Sequence, residues 1–457
     1  MPRSNMLSAF ALACLPMVLA VVPAGEAGAA TITVNNCNDS GVGSLRDAVA
    51  RAVSGDTIIV RTRGCSRISL THGPIAIAAN DLTLIGPGRA FTIHGGDASQ
   101  VLMHAGTGVL RLKALSITHG RIEAPQAFGG CIYSAGDVQL KDVAVNHCVA
   151  QGIGTGSADN VAGGGGIYAQ RNVLLTSSAV YTNSVLFDPG LGHGSADGGG
   201  VMAKARVSVT SSDIFQNSAL GNGGGAAAKS LSALYANINN NHANHGGGYA
   251  GIGFSPFDAN SVVHSTIAFN RADDSVGGAD LRRGPTLILD STISSNAASL
   301  LSGVTLNLDD PKPAMVISST IAFNHERRGD ACQGAMDWGT QETPLQMQSS
   351  IVADNTCGTY TFNYDITIDD HTGLLEGSHN FIGHAHPHLP LPPDTMSGDP
   401  RLAPIADNGG PTRTHALLPD SPAIDAGNND GGLGYDQRGA GFPRVKGTQA
   451  DIGAFER

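Results

Sequence analysis

Charge, aromatic rings and long apolar runs are all scarce in this chain. Of its 457 residues, 14% are charged and 5% are aromatic, and only one is tryptophan. The formal net charge of −11 leaves no basic face for phosphate, which argues against nucleic acid as a partner. Beyond residue 30 no stretch reaches the roughly 18 apolar residues of a membrane-spanning helix. Seven cysteines occur, none in a Cys-x-x-Cys pair, which removes the usual zinc spacing. No serine–histidine or cysteine nucleophile arrangement stands out, and no phosphate loop joins a strand to a helix.

What the chain does have is glycine, 61 residues of it, and a repeat. Two phrases alternate between Cys131 and Asn355. One is a glycine run before small or apolar residues, as in Gly165-Gly166-Ile167-Tyr168, Gly199-Gly200-Val201-Met202 and Gly277-Gly278-Ala279. The other is a β-branched stretch closing on asparagine, as in Ser265-Thr266-Ile267-Ala268-Phe269-Asn270 and Ser319-Thr320-Ile321-Ala322-Phe323-Asn324. Self-similarity at such a period marks a solenoid, whose units bury their apolar faces by stacking on neighbours. From Asn183 the steps run to Asn217, Asn240, Asn270, Asn296, Asn324 and Asn355, at 34, 23, 30, 26, 28 and 31 residues. A parallel β-helix takes roughly 22 to 25 residues per coil, and longer steps are coils with an extruded loop. Glycine content and β-branched triplets exclude a helical repeat. The reading is all-β: a single-stranded right-handed parallel β-helix over residues 66–395. Roughly a dozen coils spaced by about 4.8 Å would make a rod on the order of 55–60 Å long. Asn183, Asn217, Asn270, Asn296, Asn324 and Asn355 are expected at corners, where asparagine tolerates left-handed backbone and its amides can stack into a ladder.

Residues 1–30 read as a signal peptide: Arg3, an apolar run from Met6 to Val22, and small residues at Ala27-Gly28-Ala29-Ala30. Cleavage there removes Cys14 and leaves six cysteines, an even number suited to an oxidising compartment. The expected pairs are Cys37–Cys65, Cys131–Cys148 and Cys332–Cys357. Residues 31–65 carry a strand, Thr31-Ile32-Thr33-Val34, then an approximate capping box, Ser44-Leu45-Arg46-Asp47, opening a short amphipathic helix. Such a helix covers the apolar end of the first coil. Oxygen donors at Asn36, Asn38, Ser40, Ser44 and Asp47 imitate a calcium loop, but only Asp47 among them carries charge. The main loops are expected from Val149 to Gly163, Val185 to Gly198 and Arg271 to Gly277. The histidines His379, His384, His386 and His388 lie in a proline-rich linker and are a conceivable transition-metal group.

The opening Gly43-Ser44-Leu45-Arg46-Asp47-Ala48 and Ser54-Gly55-Asp56-Thr57-Ile58 resembles the N-terminal cap of exported bacterial β-helix proteins. Residues 396–457 hold Asp407-Asn408-Gly409-Gly410-Pro411-Thr412, Ser421-Pro422-Ala423-Ile424-Asp425, Asp436-Gln437-Arg438-Gly439 and Asp451-Ile452-Gly453-Ala454-Phe455-Glu456. This segment resembles the choice-of-anchor Q region of bacterial surface proteins and is read as an irregular C-terminal cap. In that family a sorting signal commonly follows, whereas this sequence stops at Arg457. The resemblance implies export and architecture more than chemistry.

β-Helices include both polysaccharide-cleaving enzymes and non-catalytic adhesins, so chemistry must come from residues. Gly192-His193-Gly194 matches a short polygalacturonase phrase, but the paired aspartates follow it by about 80 residues where that family places them before. Asp273, Asp274 and Asp280 with Arg282 and Arg283 are the candidates for a calcium-dependent lyase, which needs carboxylates and a base for the C5 proton. Asp309-Asp310 and Asp369-Asp370-His371 read as turns. The expectation is an exported, non-catalytic, adhesin-like monomer at the cell surface or in the envelope. It would bind a glycan or another surface through its loop-bearing lateral face and require no cofactor. A polysaccharide lyase or hydrolase with a divergent site is the alternative. Scattered acids would favour the first, and converging carboxylates the second.

Overall fold

A computed structural model describes residues 28–62, 64–154, 161–188, 194–253, 259–281, 284–306, 313–328, 333–338, 343–358, 364–368 and 374–457. The chain winds as a parallel β-helix of about 11 turns, right-handed as parallel crossovers are. One complete coil shows the plan. Val201–Ala203 joins a sheet of 11 strands, and Arg206–Thr210 and Asp213–Phe215 join a sheet of 23. Ser218–Ala219 joins a sheet of nine, before a glycine run returns the chain to Ala226–Ala228. Register is strict. Asp213, Ile214 and Phe215 lie on Asn237, Ile238 and Asn239; these lie on Thr266, Ile267 and Ala268, and these in turn on Thr292, Ile293 and Ser294. The middle residue of each triplet points inward, so Ile214, Ile238, Ile267, Ile293, Ile321 and Val352 form one fully buried column. Alternation of period two produces this, and a register slip of one residue would turn the column outward.

The asparagines form a ladder. Asn183 Nδ2 donates to Asn217 Oδ1 at 3.0 Å, and the pattern repeats through Asn241, Asn270, Asn296, Asn324 and Asn355. Asp365 closes it by accepting from Asn355 Nδ2 at 2.9 Å. Two expectations are corrected here. Asn241, not Asn240, is the rung between Asn217 and Asn270. The left-handed residue is the one before each rung: Thr182, Gln216, Asn240, Phe269, Ser295, Phe323 and Asp354 all have positive φ. That residue makes the bend, which frees the asparagine side chain to turn into the stack.

Segments expected to be loops carry strands instead. Val149–Gly152, Ser184–Phe187 and Arg271–Ser275 belong to the nine-stranded sheet, and Val161–Gly163 and Ser195–Asp197 to a fourth sheet of three strands. They are short and poor in β-branched residues; lateral pairing to neighbouring coils, not propensity, makes them extended. Ser44 caps the helix Leu45–Arg51, accepting from Asp47 N, and Leu45, Ala48 and Val49 are buried. Disulfides join Cys37 to Cys65 and Cys131 to Cys148. Cys357 is disulfide-bonded, and its expected partner Cys332 lies outside the described residues.

The C-terminal region does more than close the last coil. It runs back along the outer surface of the 23-stranded sheet. Thr412 Oγ1 donates to His264 O at 3.0 Å, Gln437 Nε2 donates to Thr266 Oγ1 at 2.9 Å, and Thr292 Oγ1 donates to Gln437 Oε1 at 2.6 Å. His415 Nε2 meets Ser294 Oγ at 2.7 Å, and Ala454 N donates to Thr320 Oγ1 at 3.0 Å. The phrases that carry the family resemblance supply its interior. Asp436, Gln437, Arg438, Asp451 and Glu456 are buried, and Arg438 Nη2 pairs with Asp436 at 2.6 Å.

Candidate functional site

The acids singled out from sequence do not meet. Asp273 and Asp274 lie exposed on the strand Arg271–Ser275 of the nine-stranded sheet. Asp280 lies on the 11-stranded sheet, 2% exposed, where His245 Nε2 is 2.7 Å from its carboxylate. Burial would raise the Asp273 carboxyl, but His242 at 2.9 Å and Arg271 at 3.2 Å outweigh it and hold it low. Arg282, Arg283 and His193 lie outside the described residues, as do Asp309, Asp310, Asp369, Asp370 and His371. The histidines of the linker separate: His379 faces Asp394 at 3.5 Å and His384 faces Asp365 at 4.0 Å, while the rings of His386 and His388 lie tilted to each other with centroids 5.3 Å apart. Among the described residues no three of His, Cys, Asp and Glu stand together as a metal would need. In the calcium-like turn, Asp47 accepts from Gly43 N at 3.1 Å and pairs with Arg51 at 3.0 Å.

Two clefts open where the C-terminal region meets the sheet. The first, about 410 Å³, lies at the edge that reaches back toward the middle coils, lined by Asp213, Asn237, Asn239, Phe269, Asp407 and Arg413 among others. Its floor is the outward row of the Asp213–Phe215 and Asn237–Asn239 strands, which the C-terminal region reaches at Asn237, whose Nδ2 donates to Pro411 O at 3.4 Å. Tyr181 and Phe215 stack along the same row at 4.8 Å. The second cleft, about 780 Å³, lies between the last coils and the segment Gly398–Leu402. It gathers Asp354, Asp365, Asp399, His384, Arg401 and the ring of Phe323.

The acids lining that second cleft differ from those singled out in the sequence. Burial pushes the Asp354 carboxyl up to about 6, and the carboxylates of Asp399 and Asp365 push the same way. Asp365 itself is raised by burial, against hydrogen bonds from Asn355 and His384. A carboxylic acid that keeps its proton into mild acid can donate it to a leaving oxygen.

No family model matches this chain, and no curated protein does. Among solved structures, the crystal structure of the pectate lyase Pel9A is similar at 13% identity, with a TM-score of 0.46. The match covers 95% of this chain and 98% of that one. That likeness concerns coil architecture, and the chemistry has to be read from the residues above.

Sequence reasoning missed Asp354, Asp399, Asp213 and Asp407 because each became notable only through the C-terminal region folding back. One signal was readable. Asp354 directly precedes the rung Asn355, a position that the repeat fills with outward-facing residues, among them Phe269 and Phe323 at 39% and 37% exposed.

Proposed function

We propose that this is an exported β-helix protein that binds an extended polysaccharide along its lateral surface, an adhesin-like role at the cell surface or in the envelope. One observation carries it: a polar cleft of about 410 Å³ continues an open row of amides and rings along the coil axis. Amide and carboxylate groups match the paired hydroxyls of sugars, and aromatic surface supports their apolar faces. The disulfides Cys37–Cys65 and Cys131–Cys148 suit an oxidising compartment, and no helix among the described residues is long and apolar enough to cross a membrane. Affinity for a panel of oligosaccharides tests this. Binding should weaken about tenfold, or 1.4 kcal/mol, when Asn237 and Asn239 are both replaced by alanine. Absence of binding to every glycan would overturn the proposal.

A second reading, polysaccharide cleavage, is favoured by the proton-holding Asp354 beside Asp399 in the larger cleft. Two carboxyl groups flanking a glycosidic bond are the minimum for hydrolysis. New reducing ends that vanish with Asp354→Asn would support it. Reducing ends unaffected by that change would locate any activity elsewhere.

A further inference from the structure

We infer that the first cleft, at the edge of the C-terminal region, selects a polymer of free amino sugars over uronates and N-acetylated sugars. This rests on the glycan-binding reading above and adds the charge of the ligand. The cleft lining carries two carboxylates, Asp213 and Asp407, against one guanidinium, Arg413. Asp213 Oδ1 accepts from Asn237 Nδ2 at 2.9 Å, which restrains the carboxylate on the sheet side of the cleft. Asp407 Oδ1 accepts from Gly409 N at 3.1 Å, which restrains it within the C-terminal region. The carboxylates come from two separate elements, the sheet and the C-terminal region, and line one groove. Asn237 and Asn239 lie on the sheet side, Asn237 Nδ2 engaged by Asp213 and Pro411 O and Asn239 Oδ1 by Asn240, and Phe269 offers a ring.

A polymer lying in this cleft meets a surplus of negative charge. A uronate would place like charges together, which costs affinity and slows encounter. An ammonium on the sugar ring gains a charge-assisted hydrogen bond at each carboxylate instead.

The test is calorimetric titration, below neutral pH where sugar amines are protonated, of the full-length mature protein. The probes are glucosamine oligomers, their N-acetylated counterparts and oligogalacturonate. Glucosamine oligomers should bind at least about tenfold tighter than the other two, a gap of 1.4 kcal/mol. Asp213→Asn and Asp407→Asn should each remove most of that preference. Glu123→Gln, on the nine-stranded sheet away from the cleft, should leave it intact. Equal losses from Glu123→Gln and Asp213→Asn would reveal general attraction to an acidic protein and overturn the inference. Tighter binding of N-acetylated or uronate oligomers would overturn it while leaving the glycan reading standing. No binding by any oligomer would sink both.

Discussion

Each ladder asparagine satisfies several groups at once, which makes these residues costlier to lose than their size suggests. Asn296 Oδ1 accepts from both Asn270 N and Asn270 Nδ2, and its own Nδ2 donates to Ile267 O and Asn324 Oδ1. Asn296→Ala strands these groups in a fully buried column, at about 1–3 kcal/mol for each one left unsatisfied. We expect a loss of about 3 kcal/mol or more in denaturant unfolding, and a loss under about 1 kcal/mol would show that water replaces the rung. Asp290 supplies a second residue-scale prediction. It is fully buried, 3.6 Å from Arg444 of the C-terminal region; burial pushes its carboxyl up to about 7 against the pull of that arginine, with Asp436 adding to the rise. The unfolded value lies near about 4, so between the two the folded protein holds a proton that the unfolded chain has released. That contribution is fully present below about 4 and is lost as pH rises through about 7. Asp290→Asn should flatten the fall of the melting temperature across this window, and an unchanged slope would assign the fall to other groups.

Short elements of two to five residues hold because every coil is pinned to the next. A β-carbon built on Gly224 would stand 2.5 Å from Gly247 O and 2.5 Å from His242 O, both backbone atoms of the following coil. Gly224→Ala therefore pushes two coils apart and should cost about 2–3 kcal/mol, the upper range for overpacking. Replacing Cys131 and Cys148 by alanine opens a link across 17 residues. Chain entropy sets that loss at about 3 kcal/mol; a variant that melts with the parent protein would mean that the unfolded chain is already restrained there. A second ladder of serines, five residues before the asparagines, also works at this scale. Ser265 N donates to Ser291 Oγ at 3.1 Å and Ser291 N to Ser319 Oγ at 3.2 Å. The spacing was present in the sequence, but serine in a strand phrase reads as an outward polar residue until the bend turns it inward.

Across the whole molecule, stability is a sum of neighbouring coils, and the C-terminal region ties several of those coils together from outside. Ala322, Ile351, Ala353 and Phe381 of the late coils form one buried cluster with Leu402, Leu417, Ala423 and Ile452. Deleting residues 396–457 should strip hydrogen-exchange protection from the coils between Thr266 and Ile382, while those before Asn146 keep theirs. Uniform loss along the rod would show instead that the coils unfold as one cooperative unit. The same region shapes the open surface, because it covers Thr266, Thr292 and Thr320 and leaves Asp213 and Asn237 lining a groove at its edge.

The period of the glycine and asparagine phrases was enough to determine a parallel β-helix, because stacked coils demand the same residue at the same corner every turn. The pairs Cys37–Cys65 and Cys131–Cys148 were legible for a related reason: neighbours about one coil apart in sequence come together in the stack. Helix capping at Ser44 was legible because it depends only on residues within one turn. The rung at Asn241 was not, since Asn239, Asn240 and Asn241 are adjacent and only lateral register chooses among them. Tertiary structure alone decided the clefts. Asp213 and Asp407, or Asp354 and Asp399, are separated in sequence by 194 and 45 residues. Each pair lines a common cleft only because an irregular segment without periodicity folds back onto a sheet, and no local pattern encodes the place where such a segment lands.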